Sequence, residues 1–133
     1  MPGATLCDGL TRLRAALRAP ASGGVGDLRG LIELVREKLS TRFAFEERMG
    51  HMHYISALRP SLEPRIGRLR AEHREMLAIL EHSAASLGSG STNPELGSTV
   101  LSVLERFDRH ELDERQLLRS ALLRPDPPRL AHP

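Results

Sequence analysis

Residues 100–121 read VLSVLERFDRHELDERQLLRSA, and their spacing decides the fold. Val100, Val103, Leu104, Phe107, Leu117 and Ala121 recur every three or four positions, the period of one face of an α-helix. His110 and Glu114 fall on that same stripe. An imidazole or an ionised carboxylate directed into an apolar interior costs several kcal/mol unless it is paired or holds a metal ion. The stripe therefore predicts a buried helix and marks two of its residues as chemically unusual.

The same period appears in three earlier segments, separated by breakers. PASGGVG (20–26), the prolines at 60 and 64, and GSGSTNP (88–94) interrupt it, and RPDPPRLAHP closes the chain with a Pro-rich stretch that cannot continue a helix. Helix one is expected from Thr5 to Arg18, with Leu6, Leu10, Leu13 and Leu17 inward. Helix two runs from an N-cap at Asp27 to Leu58, with the stripe Leu28, Ile32, Val35, Leu39, Arg42, Glu46 and Met49. Gly50 weakens its last turns. Helix three spans Glu63 to Leu87, with Ile66, Leu69, His73, Met76, Leu77 and Leu80 inward. Helix four spans Pro94 to Leu123, capped by Asn93. The expected architecture is all-α, an antiparallel up-down four-helix bundle over residues 1–124, with a disordered tail at 125–133.

Composition narrows the functional classes. The chain has 133 residues, 40% of them apolar and 27% charged, enough for one domain with a core. Aromatics are only 3%, so Leu, Ile, Val, Met and Ala must fill that core, which suits helices. The net charge of +2 comes without a dense basic run or interleaved aromatics, so no nucleic-acid partner is expected. No apolar run approaches ~18 residues and no signal-peptide pattern is visible, so no membrane partner is expected either. Cys7 is the single cysteine; it permits no internal disulfide and favours a cytoplasmic setting. It reads as a small apolar residue rather than a redox group. His51, His53 and His82 read as surface histidines, and no nucleophile–base pair, phosphate loop or CxxC motif is present.

Helical rise gives the depth of each polar stripe residue. His73 lies ~21 Å from the end of helix three and His110 ~24 Å from the start of helix four, at ~1.5 Å per residue. Glu46 lies ~18 Å from the end of helix two and His73 ~15 Å from the start of helix three. In an antiparallel bundle, Glu46, His73, His110 and Glu114 reach one level within about a turn. Two imidazoles and two carboxylates gathered there suit a metal ion such as iron. The alternative is a hydrogen-bonded core without metal. In it Arg42, four residues before Glu46 on the inward stripe, neutralises the carboxylates. Breaking such a buried pair is expected to cost about 3–5 kcal/mol.

The stretches RFAFEER, LRAEHREML and FDRHELDERQLL, in that order, resemble the hemerythrin-like (HHE cation-binding) domains. The resemblance is strongest from Leu39 to Leu123. It implies a four-helix bundle around a non-haem di-iron centre. It places Glu46 at the bridging glutamate, His73 and His110 at the third- and fourth-helix ligands, and Glu114 at the second carboxylate. It also shows departures: Arg42 stands at the helix-two histidine, Leu77 at a second helix-three histidine, and the helix-one histidine falls near Gly9. The implied function is a metal-binding or sensing domain with an incomplete di-iron site, at most one iron or other divalent ion, and Arg42 as the charge substitute for the lost subsite. The alternative remains a metal-free structural or interaction bundle. An oxidase or peroxide-handling enzyme ranks below both, because one subsite lacks its histidines.

Overall fold

A computed structural model describes residues 5–18, 25–89 and 94–123. Those residues form five α-helices: α1 (Leu6–Arg18), α2 (Val25–Arg48), α3 (His51–Leu58), α4 (Glu63–Gly88) and α5 (Leu96–Leu123). A 3-10 turn, Pro60–Leu62, joins α3 to α4. The all-α class is thus as expected, and no strand occurs among the described residues. None of the helices is long and apolar enough to cross a membrane. The tail 125–133 with His132, the Asn93 cap and most of the linkers 20–26 and 88–94 lie outside the described residues.

Two boundaries differ from the sequence reading. The second segment is broken: α2 ends at Arg48 and α3 begins at His51. Met49 and Gly50 both donate their backbone N–H to the Phe45 carbonyl, which closes α2 before Gly50 starts the next helix. At the starts of helices, α2 begins at Val25, two residues before the expected Asp27 cap, and α5 begins at Leu96, two residues after Pro94.

Burial follows the predicted stripes closely but not everywhere. In α5 all eight stripe residues from Val100 to Ala121 are buried. In α2 the stripe drifts: Phe43 is 1% exposed, whereas Met49 is 73% exposed and Arg42 lies at the surface. The stripe alternates steps of four and three, a 3.5-residue repeat that drifts about 20° per heptad on a 3.6-residue helix. The step of three from Leu39 to Arg42 therefore left the core, where a step of four reaches the buried Phe43.

The core has two parts. One, drawn from α1, α2, α4 and α5, includes Leu13, Ile32, Leu39, Phe43, Met76, Leu80, Leu104 and Phe107. The other gathers Met52, Ile55, Leu62, Ile66, Leu69, Leu117 and Ala121 around α3. Along each helix the polar stripe residues fall between the two parts. Glu46 lies between Phe43 and Met52, His73 between Leu69 and Met76, and His110 with Glu114 between Phe107 and Leu117. A polar layer thus divides the apolar interior.

Glycines set two close approaches. Gly9 is buried, and a Cβ there would sit 3.3 Å from Val35 Cγ2, so α1 lies too near α2 to carry an imidazole at that position. At Gly50 a Cβ would sit 2.8 Å from the Cα of Glu46. That contact is with backbone, so it can be relieved only by moving α3 away from α2. Gly50→Ala is expected to destabilise the fold by about 1–3 kcal/mol, the range for overpacking, read as a lower urea midpoint with an unchanged m-value.

Candidate metal centre

α2, α4 and α5 each place a polar side chain in the dividing layer. Glu46 is 7% exposed, and His73, His110 and Glu114 are 1% exposed. Three of the four sequence-selected residues come within ligand reach of one another, His110 Nε2 standing 2.8 Å from His73 Nε2 and 3.8 Å from Glu114 Oε2, while Glu46 adjoins them through Glu114. One ligand atom from each of His73, His110 and Glu114 lies within 4.8 Å of the others, and the same holds for Glu46, Glu111 and Glu114.

The outer nitrogen of each imidazole is held by an acid. His73 Nδ1 donates to Glu47 Oε2 at 2.8 Å, and His110 Nδ1 donates to Glu72 Oε1 at 3.0 Å. A carboxylate only accepts, so the proton on each ring is fixed at Nδ1. Both Nε2 atoms then present lone pairs to one another at hydrogen-bond distance, and either a proton shared between them or a metal ion satisfies both. The Phe43 ring stacks on His73 with centroids 3.7 Å apart and planes 6° from parallel, which fixes that imidazole's orientation. A carboxylate behind each histidine and an open inner nitrogen is the usual support of a metal-binding histidine.

Glu47, Glu72 and Glu111 were missed by stripe reading. Each is the sequence neighbour of a selected residue, in the doublets Glu46–Glu47, Glu72–His73 and His110–Glu111. Neighbours on a helix lie 100° apart, so such a residue sits at the rim of the stripe and can fold its carboxylate back over it. The doublets were the available signal.

Arg42 departs from its expected place. Its side chain is 42% exposed, and it closes the layer from the surface. Its Nε donates to Glu46 Oε1 at 3.3 Å, and its Nη2 to Glu111 Oε2 at 2.7 Å. Its guanidinium carbon lies 5.8 Å from the centre of the Phe107 ring. Arg42 does not contact Glu114 by a hydrogen bond. Glu46 Oε2, Glu111 Oε1 and both oxygens of Glu114 are buried without a hydrogen-bond partner among the described residues.

The electrostatics reflect that shortage of positive charge. Burial pushes the Glu114 carboxyl up to about 9; the Glu46 carboxylate, close enough to accept a hydrogen bond from the protonated acid, and then Glu111 add to the rise, while Arg42 opposes it. Burial also raises Glu111, against the pull of Arg42. His73 moves the other way: burial lowers its pKa, with the neighbouring His110 in support, and the Glu47 hydrogen bond only partly compensates. Burial therefore disfavours the imidazolium that would place a proton between the two Nε2 atoms. The layer is short of positive charge where His73, His110 and Glu114 converge.

The donor set fits a divalent ion. Two nitrogens at 2.0–2.1 Å from one ion, at right angles, are separated by about 2.9 Å. The 2.8 Å between the Nε2 atoms is close to that separation. His51, read as a surface histidine, is half-exposed, and its Nδ1 reaches to 3.8 Å from Glu114 Oε1. His53, His82 and Cys7 are exposed and take no part. Comparison with protein-family models, curated proteins and solved structures finds no match for this chain.

The raised Glu114 pKa makes stability fall as pH rises. Above the unfolded-state value of 4.5 the unfolded chain has lost this proton while the folded one keeps it up to about 9. His73, lowered in the folded state, contributes a slope of opposite sign only below its ordinary value of 6.5. Between pH 7 and 8.5 the chelated protein is therefore expected to lose stability with a limiting slope of about 1.4 kcal/mol per pH unit. Urea unfolding at stepped pH measures it, and Glu114→Gln flattens the slope.

Proposed function

We propose that the chain is a hemerythrin-like metal-binding or sensing bundle that holds one divalent ion, iron by the chemistry of its donors. His73 and His110 supply Nε2, Glu114 a carboxylate oxygen, and Glu46 its unpaired Oε2. The observation that carries this reading is the pair of Nε2 atoms 2.8 Å apart, each backed by a carboxylate at Nδ1, beside a Glu114 with no hydrogen-bond partner. Two imidazoles and one carboxylate with remaining open positions suit non-haem Fe(II). The ion would supply the positive charge that burial denies to His73 and would keep Glu114 ionised. Glu47 and Glu72 orient the two rings, and Phe43 holds the His73 plane.

The arrangement we propose is an antiparallel up-down bundle in which α2 and α3 together form the second rod. Pairings between helices support it. From α4 to α5, Glu75 pairs with Arg106 and Glu72 with His110, so falling numbers on one meet rising numbers on the other. From α2 to α4, the Arg29 guanidinium lies beside Gly88, and Glu47 bonds His73. The same reading assigns a cytoplasmic setting, supported by the lone Cys7.

One observation favours the metal-free reading: Arg42 already bridges Glu46 and Glu111 and so links α2 to α5. Its exposure limits what that bridge contributes. The expected 3–5 kcal/mol belongs to buried pairs, whereas a pair this open to water is worth up to about 1 kcal/mol. Arg42→Ala is accordingly expected to lower stability by about 1 kcal/mol, read from the urea midpoint. A loss several times larger would mean that Arg42 is the chief neutraliser of the layer.

Elemental analysis of protein purified without chelator tests the metal directly. One equivalent of ion is expected in the wild type and in Arg42→Ala, and less than about a tenth of that in His73→Ala and His110→Ala, since losing even a partner behind a ligand costs about 10–100-fold in affinity. Helical circular dichroism checks that the variants are folded. A folded wild type that takes up no iron, manganese, cobalt or zinc on reconstitution would sink the reading.

A further inference from the structure

Where α2 gives way to α3, a cavity of about 290 Å³ is lined by Arg42, Phe45, Glu46, Gly50 and His51. Arg42, Phe45 and His51 are exposed, so the cavity opens at the surface, while Glu46 at its floor is buried. Glu46 belongs to the lining, and Glu114 Oε1 stands behind it against His51; Glu46 Oε2 and Glu114 Oε1 are both buried without a hydrogen-bond donor. His51 spans the two environments. Its side chain is 53% exposed, yet its Nδ1 lies 3.8 Å from Glu114 Oε1, on a carboxylate only 2% exposed.

We infer that this cavity is the port through which a divalent cation reaches the buried centre, and that His51 with Glu114 forms an outer station that receives it. The inference rests on the metal-binding reading above and adds the route, the receiving residue and the opposing charge. A donor pair 3.8 Å apart falls within the span of two ligands on one ion, about 2.9 Å at right angles to about 4.2 Å when opposed. Glu114 is shared: Oε1 faces His51 and Oε2 faces His110. A cation received at Oε1 therefore moves to the two imidazoles without leaving that carboxylate. No bond is made or broken in the protein; the ion exchanges water for side-chain donors.

The break in the second rod is what creates the port. With α2 closed at Arg48, α3 starts anew, and His51 in its first turn is brought to Glu114 on α5. Arg42 stands at the mouth, held by Glu46 and Glu111. Its charge repels an incoming cation and competes with it for the Glu46 carboxylate.

Stopped-flow uptake of Co(II) by the chelator-stripped full chain tests this, with the cobalt absorption band as the readout and circular dichroism as the folding control. His51→Ala is expected to slow uptake about tenfold, on the scale of a lost supporting partner. Arg42→Gln is expected to speed it about tenfold by removing like charge from the mouth. His53→Ala, exposed on the same helix, leaves the rate as it is. If the wild type develops the band but His51→Ala and Arg42→Gln fill at the wild-type rate, the port is wrong and the buried centre stands. If the folded wild type develops no band, the centre itself is wrong and the port falls with it.

Discussion

The contact between His73 and His110 governs the middle of this molecule. Two imidazoles whose outer nitrogens are committed to carboxylates cannot face each other at 2.8 Å without a positive charge between them. Everything around the contact holds it in place. Phe43 stacks against one ring, Glu47 and Glu72 fix both tautomers, and the two apolar clusters above and below prevent the helices from separating. The interior tolerates this tension because the layer is thin, one residue or two per helix, with close-packed side chains on either side.

The carboxylates express the same deficit from the other side. Three of them, Glu46, Glu111 and Glu114, converge, and Arg42 reaches only two. The third, Glu114, is the most buried and has no donor, so its proton is held far above the usual carboxylate range. Under the proposed reading a divalent ion would resolve both problems at once, since it would accept the imidazole lone pairs and neutralise the acid. Arg42 lies at the rim, bonded to Glu46 and Glu111 from the surface side. It does not fill the place between the rings.

Parts of this were legible before any coordinates. The stripes of α4 and α5 alternate apolar and polar residues at a strict helical period, so His73, His110 and Glu114 had to point inward once those segments were helical. Their common depth followed from rise per residue alone. In α2 a 3.5-residue repeat carried from Leu39 through Arg42 and Glu46 to Met49 ran off the buried face, placing Arg42 and Met49 inside and overlooking Phe43. Gly50 carried the signal for a weakened helix end, but whether it bends, kinks or stops the helix depends on how closely α3 approaches Glu46.

The order of amino acids thus determined the helical class, the buried faces of α4 and α5, and which four polar residues had to share the interior, because period and rise are local properties of a helix. The tertiary structure alone decided which nitrogen of each histidine faces inward, that Glu47, Glu72 and Glu111 fold over the layer from beside it, that Arg42 caps it from the surface, and that His51 turns toward Glu114. Those outcomes depend on distances between side chains on different helices, set by packing at Gly50, Gly9 and the two apolar clusters. The doublets beside the stripes name Glu47, Glu72 and Glu111 as neighbours of the layer, but no pattern within a single segment encodes those distances.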